Sequence, residues 1–561
     1  MLAIAALLIA AVAPVHAQQP PPGSPIPRIA PPAPPGVAPG LVTQQTETLQ
    51  NLAPNTPRRV LSVTVEGATT LSADDIAAAT RDLVGPATAT SAIEGARIAL
   101  LKRYRDGGFP LVTVAASLTA DGKLRYTVTE GRIAEVQLDG DIGPAGTKVL
   151  EFLQKLVLPG PVNAAALERW LLLAQDVPGV ALQTILRPSE SEPGALTLVA
   201  RVARTAITGL VAADNRAFRD SGPEQVLALA GYNSATSWGE RTEISLYKSL
   251  FNATQIFGQV SLESFIGSSG LKLRLYAGIG DSRPSGVLRT TGYDGKTTVA
   301  GVQLSYPLIY TRQQKLNILG IVDVIQSEIL STGPTNKDAL RVLRLGTDYA
   351  LQDQILGAER PAINQVSVRL SHGLRGFGAS RNGSTALARL DSQVDYTKIS
   401  AELSRNQTLY SFSPDTSVSL LALVAGQGSR DIIPAAEKFY LGGMRFTRGF
   451  YAGEVTGDNA LAATAELQLN TGFQTELFGT QRDIGVQFYA FYDWGETWEN
   501  KVLDANKRLR SVGLGTRATL TQYLELDLEM VSRITRQPST TGSAVKPLPE
   551  KAFYWRLVGR F

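Results

Sequence analysis

From Thr205 to Phe561 the sequence repeats one pattern, in which segments of about ten residues alternate apolar and polar side chains and turn-rich stretches separate them. Leu271, Leu273, Leu275 and Ala277 alternate with Lys272, Arg274 and Tyr276, and Leu524, Leu526, Leu528 and Met530 with Glu525, Asp527 and Glu529. A period of two puts each set on one face of a strand. Three successive carboxylates need a wet face while the opposite face is wholly aliphatic. A soluble sandwich does not supply that combination, but a transmembrane barrel does, with lipid outside and water inside. About sixteen such segments begin near Thr205, Val226, Thr242, Thr254, Leu271, Val299, Leu316, Leu340, Asn364, Val394, Ser417, Ala460, Ile484, Arg508, Tyr523 and Phe553, an even number as single-chain bacterial barrels have. The last, FYWRLVGRF, places Phe553, Trp555, Leu557 and Phe561 on one face and Arg556 and Arg560 on the other.

Before Thr205 the pattern is mixed. A strand at Arg59 to Glu66 is followed by a capping-box start at Ser72 to Asp75 and by a helix with Ile93, Ala96, Leu100 and Tyr104 on one face. That helix stops at Gly107-Gly108 before Pro110, and strands at Leu111 to Leu118 and Lys123 to Glu130 complete a β-α-α-β-β order. The order repeats as a strand at Ile133 to Leu138, helices near Lys148 to Leu156 and Ala164 to Gln175, and strands at Val180 to Leu186 and Ala195 to Val202. The fold class read from this is mainly β: a 16-stranded antiparallel transmembrane barrel over 205–561, preceded by two small α+β domains at 58–131 and 132–204.

Residues 18–57 are Pro-rich and read as an extended periplasmic tether, in which only Leu41 to Leu52 could form a short helix. Leu2 to Ala13 form an apolar run, and Val15 and Ala17 fit a cleavage site before Gln18, so 1–17 reads as a signal peptide, although its n-region carries no Lys or Arg. No other apolar run approaches the roughly 20 residues of a membrane helix.

Of the 561 residues 44% are hydrophobic and 19% charged, too apolar for a disordered chain and too polar for a bundle of membrane helices. Cysteine is absent, which excludes disulfides, thiolate nucleophiles and Cys-ligated metals. His16 falls in the leader, so a nucleophile–base pair would have to run through His372 at a strand end. Neither small domain contains a phosphate loop or clustered carboxylates, so no catalytic residue, metal or cofactor is expected and the protein does not read as an enzyme. A net charge of +4 over this length gives no reason to propose nucleic acid as a partner.

Several strings resemble one family. YRDGGFPLVTVAASLTADGKLRYTVTEGRIAEVQLDG and VNAAALERWLLLAQDVPGVALQTILRP are similar to the paired polypeptide-transport-associated (POTRA) domains of TpsB-type transporters, the exporters of two-partner secretion for filamentous haemagglutinins, haemolysins and related large proteins. GGMRFTRGF, ending in Arg448, Gly449 and Phe450, resembles the tip motif of a long loop that this superfamily folds back into its lumen, here 428–459. FYDWG, with Phe491, Asp493 and Gly495, resembles the partner motif on a nearby strand. Parity agrees with that pairing. Ile484, Val486, Phe488, Ala490 and Tyr492 take the lipid face, which turns Gln487, Tyr489, Phe491 and Asp493 inward. Glu466 is inward too, since Leu461, Ala463, Ala465, Leu467 and Leu469 take the outer face. Arg375-Gly376-Phe377 repeats the tripeptide after an earlier strand and reads as a plain surface loop.

The resemblance implies an outer-membrane transporter that captures an unfolded partner in the periplasm through two POTRA domains and exports it through its barrel. Its implied partners are a large secreted protein such as an adhesin or haemolysin, outer-membrane lipid, and the barrel-assembly machinery. Trp555 and Phe561 on the closing strand resemble the signal that outer-membrane barrels present to that machinery. The alternative within the same superfamily is an outer-membrane insertase. A diffusion porin has no use for two protein-binding modules.

Overall fold

The computed structural model describes residues 57–561 apart from 141–142, 190–191, 252–253, 286–288, 290–291, 331–334, 478, 502–505 and 538–546, together with two short pairs nearer the N-terminus. The expected signal peptide and tether lie outside the described residues except for those pairs, Ala17–Gln18 (β1) and Arg28–Ile29 (β2), which run antiparallel to each other. The chain divides into two compact units, one of them Gly40–Thr205 with the turn Ser234–Gly239 and the other the remainder.

In the first unit the opening strand is split. Arg58–Val60 (β3) pairs with Gly85–Thr88 (β5), while Ser62–Glu66 (β4) turns into a different sheet, the break falling at Leu61, whose N–H donates to Gly122 O. Sequence periodicity cannot show that break, because both halves are extended. Ala73–Thr80 (α1) starts as its capping residue dictates, with Ser72 Oγ accepting from the Asp75 N–H at 3.1 Å. Thr90–Asp106 (α2) buries Ile93, Ala96, Leu100, Leu101 and Tyr104 against Val112–Leu118 (β6) and Lys123–Glu130 (β7). The sheet order is β4-β7-β6, with β4 parallel and β6 antiparallel to β7. Glu130 closes this module. It accepts from Tyr104 O–H at 2.7 Å, from the Thr69 and Thr70 N–H groups at 2.8 and 3.0 Å, and from the Thr69 hydroxyl. Burial pushes its carboxyl up, but these bonds to the charged form outweigh it and hold the pKa below the usual range.

The second module repeats the plan with Arg132–Asp139 (β8), Ala145–Leu153 (α3), Ala164–Gln175 (α4), Val180–Pro188 (β9) and Ala195–Arg204 (β10), in the order β8-β10-β9 and with the same parallel and antiparallel relations. Each sheet therefore has its third strand in the middle and leaves two strand edges at its margins.

The second unit is a closed barrel of sixteen strands. They are Ile207–Asp214 (β11), Gln225–Asn233 (β12), Arg241–Ser249 (β13), Thr254–Ile266 (β14), Leu271–Arg283 (β15), Asp294–Tyr310 (β16), Gln314–Leu330 (β17) and Asn336–Asp353 (β18). Ala362–Gly373 (β19), Thr397–Ser413 (β20) and Thr416–Ser429 (β21) follow; then, after a loop carrying the short strands Phe439–Leu441 (β22) and Val455–Gly457 (β23), Asn459–Leu477 (β24), Thr480–Trp498 (β25), Lys507–Thr521 (β26), Leu524–Arg533 (β27) and Lys551–Arg560 (β28). Neighbours in sequence pair antiparallel, so every strand finds its backbone partners inside the barrel. Several strands outrun the apolar alternation. β18 starts at Asn336 rather than Leu340 because Asn336 to Ala339 continue the ladder opposite Ile329 to Gln326.

Closure is made by β28 against β11, from Leu210↔Arg560 to Asp214↔Arg556. Phe561 extends this seam by exchanging backbone bonds with Gly209 at 2.8 and 3.1 Å. At the other end Asn215 carries the ladder on with its side chain, donating from Nδ2 to Phe553 O and accepting from the Trp555 N–H. Phe553, Leu557 and Phe561 are exposed on the outer face, whereas Tyr554, Arg556 and Val558 are buried on the inner one. Phe488 and Tyr492 are likewise exposed outside. Ile484 and Val486 share their parity but are buried rather than exposed, and their cross-strand neighbours on β24 are Phe473 and Thr471.

Candidate functional site

The inside of the barrel is occupied by residues 430–458, the connection between β21 and β24. β22 and β23 pair antiparallel, which makes the connection a hairpin with its tip at Thr447 to Phe450. Strict alternation along β24 and β25 turns Thr464, Glu466 and Gln468, and Tyr489, Phe491 and Asp493, to the lumen, where all six are buried.

Arg448 is buried among them and its guanidinium is spread over two carboxylates. Nε and Nη2 donate to Asp493 Oδ2 and Oδ1, each at 3.1 Å, and the Arg448 backbone N–H donates to Oδ2 at 2.7 Å. Nη1 donates to Glu466, which also accepts from Arg517 at 2.7 and 3.2 Å and from Gln468 at 2.8 Å. The guanidinium carbon lies 3.7 Å from the Phe491 ring centroid, a cation–π contact in a desolvated place. A forked donor satisfied on both prongs and covered by an aromatic face is held in one orientation.

The two residues after Arg448 fix the tip. The Gly449 N–H donates to Ser511 Oγ at 3.2 Å, and Gly449 O accepts from Arg533 Nε at 2.5 Å and Tyr554 O–H at 3.0 Å. A Cβ at Gly449 would stand 2.6 Å from that of Ser511, so only glycine lets the tip come this close to the wall. Phe450 is fully buried with Leu441, Phe446, Val455, Ala462 and Leu509. Gly495 makes room on the strand side, since a Cβ there would meet Leu441 Cδ1 at 2.7 Å.

Arg448, Gly449, Phe450, Phe491, Asp493, Gly495 and Glu466 thus lie in one cluster. Arg375 and Phe377 do not: Arg375 pairs with Asp395 at the surface, and Phe377 is 87% exposed. His372 is exposed on β19, with Nδ1 2.9 Å from Thr397 Oγ1. Residues not singled out from sequence also join the cluster. Glu529 lies 3.9 Å from Arg448 and accepts from Arg216 at 2.6 Å, Arg216 stacks 4.0 Å over the Tyr554 ring, and Arg517 stacks 3.9 Å over Tyr489. For Arg517, Glu529 and Tyr554 the available signal was inward parity on β26, β27 and β28, which marks a side chain as lumenal without naming its partner; Arg216, in the connection after β11, had no such signal.

Comparison with known proteins fits this architecture. The family model described as haemolysin secretion/activation protein ShlB/FhaC/HecB matches residues 198–518, and the model for the ShlB-type POTRA domain matches residues 59–131. CdiB from Escherichia coli is similar in structure with a TM-score of 0.69 at 17% identity, covering 93% of each chain. CdiB from Acinetobacter baumannii gives 0.63 at 17% identity, covering 94% of this chain and 95% of its own. BamA from Haemophilus ducreyi lacking POTRA domains 1–3 gives 0.52 at 11% identity, covering 90% of this chain and 100% of its own. At these identities the likeness is one of fold. No curated protein matches the sequence.

Proposed function

Because the chain belongs to the haemolysin secretion/activation family and is an outer-membrane transporter of two-partner secretion, we propose that its inward loop is a releasable plug, clasped by Arg448 to Asp493 and Glu466. The observation that carries this reading is the buried, doubly paired guanidinium on a loop that stands in the path of the exported chain. The two modules at 58–131 and 132–204 act as POTRA domains in the periplasm, the second resting on its shared strand order with the first. Their sheet edges, β4 and β6 in one and β8 and β9 in the other, receive an extended partner by strand addition, because a backbone ladder tolerates many side chains. Capture displaces the loop, the partner crosses the lumen unfolded, and its folding outside draws the rest through. The secreted partner is a large protein of adhesin or haemolysin type.

Removing one side of a buried charge pair leaves the other uncompensated, at a cost of about 3–5 kcal/mol. That is enough to unseat a loop and too little to dissolve a barrel whose strands keep their ladders. Arg448→Ala and Asp493→Ala are each expected to reduce export and raise channel conductance at near-normal barrel levels. Because Arg448→Ala already removes every bond its side chain makes to Asp493, the double variant should be little worse than Arg448→Ala alone. Fully additive losses of export across this cycle, or an Arg375→Ala control as harmful as Arg448→Ala, contradict the clasp.

Trp555 and Phe561, on the outward face of the closing strand, serve as the signal read by the barrel-assembly machinery. Phe561→Ala is expected to lower the amount of barrel in the membrane and raise its degradation in the periplasm, without changing conductance of the molecules that insert. Unchanged barrel abundance at native expression, measured by immunoblot of outer-membrane fractions, contradicts that role.

A further inference from the structure

The stem of the inward loop carries a buried carboxylate of its own, Glu437, distant in the strand order from the clasp. The short 3-10 turn Ala435–Glu437 leaves Glu437 with no exposed surface. Arg344 Nη1 and Nη2 donate to its two oxygens at 3.0 and 2.7 Å, and Lys398 Nζ lies 2.9 Å from Oε2. Lys398 also donates to Glu437 O at 2.5 Å and to Gln427 Oε1 at 3.1 Å, while Arg344 Nε donates to Asp323 Oδ2 at 2.7 Å. These partners sit on β17, β18, β20 and β21, whereas the clasp uses β24 and β25 and the tip is further held by β26, β27 and β28. Around the stem, Ile433 and Ala436 pack with Val299, Ile325, Leu340 and Val342, apolar side chains that turn inward on β16, β17 and β18. The wall is therefore shaped to receive this stem as well as the tip.

The charges balance only with the stem in place. Arg344 and Lys398 face Glu437 and Asp323, two cations against two carboxylates. Without Glu437 the same wall keeps two cations and one carboxylate.

We propose that Arg344 and Lys398 form a carboxylate-binding site on the lumen wall, that Glu437 fills it while the loop is seated, and that acidic side chains of the passing chain fill it once the loop has left. Glu437 is then a positioning residue, released separately from the tip clasp. This rests on the reading that the loop vacates the lumen during export.

The test uses full-length protein in planar bilayers under a salt gradient. Glu437→Gln keeps the shape of the side chain and removes its charge. It is expected to raise the open-channel fraction about tenfold, the effect of losing one charge-assisted bond of ordinary strength, and to shift the reversal potential toward anions. Lys398→Gln leaves the Arg344 pair intact and is expected to shift the reversal potential toward cations. A loop merely loosened by mutation moves both variants in the same direction, so shifts of the same sign, or none, overturn the proposal. A short polyglutamate peptide should block the Glu437→Gln channel, and this block should be lost in Glu437→Gln/Arg344→Gln. Equal block of both variants, or block by polylysine instead, also overturns it. Heat-dependent gel mobility of each variant verifies a folded barrel, and Glu437→Asp, which restores the charge, should recover wild-type selectivity. Failure of the wild-type protein to export any partner would defeat the transport reading alone. Failed selectivity shifts alongside normal export would defeat this inference alone.

Discussion

Deleting Arg59 to Arg204 is expected to leave a folded barrel in the outer membrane and to reduce export of the partner to background. The two halves of that expectation have separate physical grounds. The barrel closes every strand against a barrel neighbour, from β11 round to β28, and the ion pairs that hold its inward loop, such as Arg344 with Glu437 and Arg448 with Glu466 and Asp493, are made among barrel strands and that loop. The N-terminal modules have cores of their own, as the packing of Ile93, Leu100 and Tyr104 with Leu124 and Tyr126 shows for the first. Losing them takes no hydrogen bond from the barrel ladder. What is lost is the pair of sheets with free edges, and with it the step that turns a dilute periplasmic chain into one held at the barrel. The measurement is partner protein in the medium, set against the heat-modifiable barrel band in membranes. Wild-type export from the truncated protein contradicts capture by these domains, and a missing barrel band contradicts their structural independence.

Much of the fold was legible because membrane strands obey a strong rule. A strand with lipid on one side and water on the other must alternate, so Thr254 and Leu271 mark the first residues of β14 and β15, and the other starts fall within a few residues. The one start placed too early by several residues has a physical cause. The start expected near Val394 moves to Thr397 because Val394 belongs to a connection, where it is buried beside Ile433 and Tyr396. Its apolar character serves the packing of two connections against each other and not a lipid face. Leu340 and Val342 are inward and apolar for the same reason: the segment that covers them lies some hundred residues further on, beyond the reach of local pattern.

The site divides in the same way. Arg448 and Asp493 were legible because motif and parity each pointed to the pair, and Glu466 because its strand alternates cleanly. Arg517, Arg216 and Glu529 were not, since inward charges are ordinary in a wet lumen and only the folded geometry says which carboxylate each one reaches. Glu437 carried no signal, standing in an irregular connection whose partners Arg344 and Lys398 come from two separate strands.

The central claim is that the partner leaves through the space the inward loop occupies, and a reversible lock on that loop tests it. The native chain has no cysteine, so Gly449→Cys with Ser511→Cys introduces the one possible disulfide. The two Cβ positions start 2.6 Å apart, and an outward shift of about 1 Å at the tip brings them into disulfide range. With the bond closed, the tip is fixed to β26 and export of the partner should stop while barrel abundance is unchanged. On reduction the same molecules should resume export. Export that continues at the reduced-state rate, with the disulfide formed in every molecule, would mean that the partner takes a path the loop does not block.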